Sequence, residues 1–202
     1  VLKRRAKAAG MSLAFVESSR VAMHQKRNEQ LAIAVGRMLH LTQRAIDCGL
    51  QNTRLAARIE RIAPNVIVDG SHNFDKLTAL ARMIRMLDYK RVHVIFGIGS
   101  KKDITKSLRP LTKIANRWTL TKANVAYPVP MPPKRIAHVL SSIQPNARIT
   151  IQPNAERALT AALHTQRPGE LLLITGSFYL AGELRQHWIP ERSILTHRTL
   201  FP

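Results

Sequence analysis

The chain has 202 residues, 45% hydrophobic and only 5% aromatic, with 32 Lys and Arg against 12 Asp and Glu, a formal net charge of +20. That length accommodates one full domain with its own core and part of a second, and no run approaches the roughly 18 apolar residues of a membrane span. The positive excess attracts polyanions such as nucleic acid, acidic lipid, nucleotides or a polyglutamate tail, but the cations are scattered and aromatics few, so no stacking platform for bases emerges.

Residues 1–62 read mostly as helix. Val1-Leu2-Lys3-Arg4-Arg5 lacks the apolar stretch of a signal peptide, and a start inside a helical pattern reads as a piece of a longer product. Leu2–Ala9 is expected as a short charged helix and Leu13–Val16 as a short strand. Asn28–Leu41 is expected as a longer helix, with Leu31, Val35, Met38 and Leu39 forming one apolar stripe. Thr42 is suited to cap a further helix that ends at Gly49. The single cysteine, Cys48, excludes an intrachain disulfide and a multi-cysteine metal site. Set among Ala45, Ile46 and Leu50, it reads as a half-buried structural thiol in a reducing compartment.

From Val66 strands and helices alternate. Strands are expected at 65–69, 92–97, 118–122, 148–151 and 171–175, with helices at 74–87, 104–115, 133–143, 155–164 and 178–186. Val66-Ile67-Val68 and Leu171-Leu172-Leu173-Ile174 are apolar throughout, the mark of strands buried on both faces of a parallel sheet. The class is therefore α/β, a Rossmann-like, mostly parallel sheet flanked by helices. Pro128–Pro133, with four prolines in six residues, predicts an extended connection before a helix. A doubly wound sheet places its ligands at the carboxyl ends of its strands, which picks out residues 69–73, 97–103, 119–126 and 175–179.

Two of these turns are chemically rich. Asp69-Gly70-Ser71-His72-Asn73 follows a buried strand: Gly70 permits a tight turn, and Ser71 or Asn73 can cap the next helix. Asp69 stands where a carboxylate can accept from ribose hydroxyls, and His72 where it can bond a nucleotide; an ordinary capped turn accounts for the same residues. Phe96-Gly97-Ile98-Gly99-Ser100-Lys101-Lys102-Asp103 sets a Gly-x-Gly beside lysines able to approach phosphate, or forms a glycine-rich turn with a solvated Lys pair. It lacks the third glycine of a dinucleotide fingerprint, and no P-loop occurs anywhere. The eight histidines form no zinc or catalytic-triad pattern, so no metal ligand is assigned.

Taken together these segments resemble the Mur ligase superfamily, most closely the folylpolyglutamate and dihydrofolate synthases. Asp69-Gly70-Ser71-His72-Asn73 is similar to the Asp-Gly-Ala-His-Asn that opens that family's C-terminal domain, and Lys101-Lys102-Asp103 to its Asp-Lys-Asp. Gly176-Ser177-Phe178-Tyr179-Leu180-Ala181-Gly182-Glu183 is similar to its Gly-Ser-Leu-Tyr-Leu-x-Gly-Glu. Upstream, His24-Gln25-Lys26-Arg27-Asn28 resembles its His-Gln-x-x-Asn and Ala57-Arg58-Ile59-Glu60 its Gly-Arg-x-Glu.

The resemblance implies residues 1–62 as the end of a central ATPase domain with its linker, and 63–202 as a Mur-ligase-type C-terminal domain. It implies Asn28, Arg58 and Asp69 as ATP contacts, His72 as a catalytic residue, and Mg²⁺ held by a domain upstream of this sequence. The activity implied is ATP-dependent addition of L-glutamate to a folate or dihydropteroate by a monomeric, cytoplasmic protein, with a mitochondrial location as the variant. Loss of the first acidic residue of Asp-Lys-Asp, at Lys101, weakens the case for chemistry at that turn. The alternative is a non-catalytic, ligase-derived basic module bound to RNA or a ribosome. A peptidoglycan ligase of the same superfamily is a third reading, disfavoured by the Gly176–Glu183 segment and by the absence of an Asp-x-x-Asn/Arg-Pro motif.

Overall fold

A computed structural model describes residues 24–53 and 55–197, together with Ala9. The expected helix at 2–9 and strand at 13–16 lie outside the described residues. The chain divides into two compact units, 1–53 and 54–202.

The first unit contributes α1 (His24–Met38) and α2 (Gln43–Asn52). Thr42 caps α2 as expected, its side chain accepting from the Ala45 N–H. Three features differ from expectation. Leu31, Val35, Met38 and Leu39 are all exposed, so the periodicity marks a helix without marking a core. Gly49 does not end α2: the Thr53 N–H bonds the Gly49 carbonyl and the ladder runs to Asn52, a glycine inside a helix costing only about 1 kcal/mol. Cys48 is exposed, because Ile46 takes the inward position and a residue two places on lies roughly 200° around the helix.

The second unit carries a six-stranded sheet in the order β1-β2-β6-β3-β4-β5. Its strands are β1 (Glu60–Ala63), β2 (Val66–Val68), β3 (Arg91–Phe96), β4 (Arg117–Lys122), β5 (Arg148–Asn154) and β6 (Glu170–Thr175). All neighbours pair parallel except β1, which pairs antiparallel with β2. Between and after them run α3 (Phe74–Met86), α4 (Ile104–Thr112), α5 (Pro133–Ile143), α6 (Ala155–His164), α7 (Phe178–Arg185) and α8 (Glu191–His197). Every strand and helix expected after Val66 is present, with ends shifted by a few residues. The short β1 and α8 were not foreseen, β1 because Glu60-Arg61-Ile62-Ala63 has little apolar signal of its own.

The uniformly apolar strands are buried on both faces. Leu171 and Leu173 pack into one cluster with Leu77, Leu80 and Ile84 of α3, Leu108 and Leu111 of α4, and Ile136 and Leu140 of α5. Leu172 and Ile174 pack into another with Leu159 of α6 and Leu180, Ala181 and Leu184 of α7. Each of these fully buried side chains contributes about 1.5–3 kcal/mol relative to exposure, and the alternation of Cβ direction along β6 feeds both layers. Helices α3, α4 and α5 thus cover one face and α6 and α7 the other. The connection through α6 returns the chain from the β5 edge to β6, between β2 and β3, and that reversal opens a crevice at the carboxyl ends of the strands.

Candidate functional site

The buried strand β2 delivers Asp69 to the carboxyl end of the sheet, where it is 3% exposed. Asp69 Oδ2 accepts from the Ile59 N–H at 2.9 Å, and Oδ1 from the Ser71 N–H at 2.8 Å. The next residue, Gly70, donates its N–H to the Ala57 carbonyl at 2.8 Å. A Cβ at Gly70 would collide with the Phe178 ring, so glycine is required by the close approach of that ring to the backbone. Of the two capping candidates, Asn73 is the one used: its side chain accepts from the Lys76 N–H at the start of α3.

These bonds fasten the loop that carries Arg58. Ala57 and Ile59 flank it, both at φ 52°, a left-handed conformation that costs roughly 1–2 kcal/mol per non-glycine residue and is an outlier for a β-branched side chain. The chain holds it by three ties: Asp69 to the Ile59 N–H, Gly70 to the Ala57 carbonyl, and Glu60 Oε2 to the Ala57 N–H at 2.8 Å. Glu60 is itself anchored by Arg185 of α7, whose Nε and Nη2 donate to its two carboxylate oxygens at 2.8 Å. Burial alone would raise the Glu60 pKa, but the Arg185 hydrogen bond, the Ala57 N–H and the Arg185 charge outweigh it and hold the carboxyl below its ordinary value of 4.5. Strain concentrated around one exposed cation is characteristic of functional loops.

Arg58 projects over the Phe178 ring, its guanidinium carbon 5.0 Å from the ring centroid. Lys76 Nζ lies 6.0 Å from the same centroid, and the His72 ring meets Phe178 edge-on at 5.6 Å. Phe178 is therefore a platform with three basic side chains around it. His72 Nδ1 lies 2.9 Å from the Gly70 carbonyl oxygen. A carbonyl can only accept, so Nδ1 carries a proton, and in the neutral ring the lone pair lies on Nε2.

Beside the platform is a pocket of about 310 Å³. His72, Lys101, Lys102, Tyr127, Ser177 and Phe178 are among its walls. Four strand ends thus converge, as the carboxyl-end rule anticipated. Ser177 caps α7, accepting from the Tyr179 N–H at 3.2 Å, so the positive end of that helix borders the pocket. Gly176 adopts φ 104°, and a Cβ there would lie 2.5 Å from the Gly97 carbonyl oxygen. Asp103 is occupied as the N-cap of α4, accepting from the Lys106 N–H. Lys101 and Lys102, not the carboxylate, therefore give this turn its charge toward the pocket.

Arg58, Asp69 and His72 are brought together within the second unit. Asn28 is exposed on α1 in the first unit. Asp69, expected at a ribose, has both oxygens engaged by the chain's own backbone. Sequence reasoning passed over Phe178, Lys76 and the Glu60–Arg185 pair; the available signals were the aromatic in Gly176-Ser177-Phe178-Tyr179 and the Glu60 of Ala57-Arg58-Ile59-Glu60. Among the described residues no group of three His, Cys, Asp or Glu could hold a metal ion, and no helix is long and apolar enough to cross a membrane.

The folylpolyglutamate synthase of Lacticaseibacillus casei is 29% identical over 182 residues, covering 86% of this chain and 40% of that protein. The UDP-N-acetylmuramoyl-L-alanyl-D-glutamate–2,6-diaminopimelate ligase of Lawsonia intracellularis is 29% identical over 166 residues, 77% of this chain and 33% of its own length. This chain therefore spans well under half of either relative. The structure of Mycobacterium tuberculosis folylpolyglutamate synthase complexed with ADP shares the fold, with a TM-score of 0.74 at 23% identity over 82% of this chain and 40% of that one. These likenesses are to ligases and give the RNA- or ribosome-bound alternative no support. The family model described as Mur ligase, glutamate ligase domain matches residues 56–178, more than half of the sequence, and the chain belongs to that family.

Proposed function

We propose that this chain supplies the carboxyl-terminal part of an ATP-dependent ligase that joins L-glutamate to a folate or dihydropteroate. The observation that carries the reading is the Arg58 guanidinium over Phe178, on a loop whose backbone Asp69 and Glu60 hold, next to His72 and a pocket whose rim bears Lys101 and Lys102. An exposed, preorganised guanidinium fits the phosphate tail of a nucleotide. Mg²⁺ does not fit the residues described here, since the one carboxylate at the platform, Asp69, is buried and already accepting two N–H bonds.

ATP, when bound, supplies the phosphoryl group that activates the acceptor carboxylate. Arg58 stabilises the negative charge that develops as that group moves, without reorganising, because its loop is tied in advance. His72 Nε2 takes a proton from the glutamate ammonium, leaving an amine lone pair to attack the activated carbonyl carbon as phosphate departs with the C–O electron pair. Lys101, Lys102 and the amino end of α7 hold the carboxylates of the incoming amino acid. Asp69 serves the nucleotide by shaping the Arg58 loop. Asn28 is kept as an ATP contact on the resemblance of His24–Asn28 alone.

The test is ATP-dependent incorporation of labelled L-glutamate by the full-length gene product, with dihydropteroate, tetrahydrofolate and a UDP-N-acetylmuramoyl peptide as separate acceptors. The expected outcome is turnover with one or both pterins, and a kcat lowered about 10²–10³-fold by Arg58→Ala. Turnover only with the UDP-linked peptide, or none with any acceptor, overturns the reading.

A further inference from the structure

At the opposite end of the sheet, where β3 to β6 begin, lies a second cavity of about 400 Å³. Five of its lining residues are cations, Lys90, Arg91, Arg117, Arg148 and Arg167, and one, Glu170, is a carboxylate. Glu170 is spent internally: Arg117 Nε and Nη2 donate to its two oxygens at 3.0 and 2.9 Å, and the Arg167 N–H donates to Oε2 at 3.0 Å. Arg117 is committed as well, its Nη1 and Nη2 also donating to the Thr165 hydroxyl and carbonyl at 3.1 and 3.0 Å.

That leaves Lys90, Arg91, Arg148 and Arg167. None of the four forms an ion pair among the described residues, and all four are exposed. The strand register brings them together: Arg148 on β5 stands directly opposite Arg117 on β4, and Arg91 on β3 opposite Glu170 on β6. Glu170 neutralises Arg117, so the cross-strand neighbours Arg91 and Arg148 are left without a carboxylate of their own. The Asn116 side chain adds a fixed polar wall, its Oδ1 accepting from the Val92 N–H at 2.8 Å and its amide N–H groups left to donate.

We infer that this cavity is a binding site for an oligophosphate, a chain of two or three phosphoryl groups, distinct from the site at the carboxyl ends. Three unneutralised guanidinium groups match phosphate, because each planar fork can donate two parallel bonds to one phosphoryl group. Four free cations call for a ligand carrying several negative charges, and the volume holds more than a single phosphate. The site cannot share its ligand with Arg58: β3 alone, from Arg91 to Phe96, separates the two ends by about 17 Å.

The test is isothermal titration calorimetry of the full chain with inorganic tripolyphosphate, ATP and citrate at low and moderate salt. The expected result is tripolyphosphate binding whose affinity is lowered at least tenfold by Arg148→Ala combined with Arg167→Ala. Arg148→Lys should lose less, and Arg82→Ala, an exposed cation on α3, should not change it. Circular dichroism of each variant checks that the fold is intact. ATP binding that the double variant also abolishes identifies a nucleotide tail as the source; tripolyphosphate binding alone identifies the free anion. Tripolyphosphate binding that the double variant leaves intact overturns the assignment, as does binding weakened equally by Arg82→Ala. Citrate binding as tightly as tripolyphosphate overturns the choice of phosphate.

Discussion

Replacing Asp69 by Asn tests whether this residue organises the Arg58 loop or meets a ligand itself. In the native chain its two oxygens accept from Ile59 and Ser71 at 2.9 and 2.8 Å, both bonds being charge-assisted in a site only 3% exposed. An amide presents one oxygen and one NH₂, so one of the two N–H donors would face another donor. A buried donor left unsatisfied costs about 1–3 kcal/mol, and the surviving bond loses its charge assistance. The expected loss is therefore about 2–4 kcal/mol. If the Ile59 bond is the one that breaks, Ala57 and Ile59 are also free to leave their left-handed conformations, releasing the strain stored there. Urea denaturation of the full chain measures the first quantity, and hydrogen exchange at the Ile59 and Ser71 amides locates it. Stability within about 0.5 kcal/mol of the parent, with both amides still protected, would refute the organising role. Weaker nucleotide binding with stability and amide protection both unchanged would instead assign Asp69 to direct contact.

Three further outcomes follow from the same network and from the sheet. Arg58→Ala, which removes an exposed side chain, is expected to leave urea stability within about 0.5 kcal/mol while removing most of the turnover; a large stability loss would mean that the side chain is structural. Glu60→Ala deprives Arg185, only 5% exposed, of its carboxylate, and should cost about 3–5 kcal/mol by urea denaturation. Because the Glu60 pKa is depressed when folded, its stabilisation is present above the ordinary value of 4.5 and lost as pH falls below it. The variant should therefore lack that part of the acid slope. His93 is buried, with Nε2 2.8 Å from the Thr119 hydroxyl; burial first and the Arg117 charge second push its pKa down to about 4 from 6.5, against the pull of Glu170. The unfolded chain then takes up a proton below pH 6.5 that the folded chain refuses until about pH 4. Stability should fall through that window, by about 2 kcal/mol at pH 5. His93→Gln should flatten the slope between pH 6.5 and 5; an unchanged slope would show that another group sets it.

Sequence alone was enough to specify the α/β unit because its signals are local. Runs such as Leu171–Ile174 admit only two-sided burial, and Asn73, Asp103 and Ser177 each satisfy the open N–H groups of the helix that follows them. The carboxyl-end rule likewise located the crevice, since it needs only the order of elements. Where periodicity stood alone it misled: the stripe on α1 is exposed, because spacing fixes which residues share a face and says nothing of what covers that face.

The turn at Asp69–Asn73 was legible as a site, but its division of labour was not. That Asp69 ties down Ile59, ten residues earlier, depends on β1 folding back antiparallel onto β2. That Glu60 meets Arg185, 125 positions away, depends on α7 packing behind that pair. The ring of cations at the amino ends arises the same way, from strands whose order in space differs from their order in the chain. Residue type and local pattern therefore determined the elements and their caps. Only the tertiary structure decided which charges are neutralised and which remain free, because electrostatic partnership depends on distance in space and chain separation does not encode it.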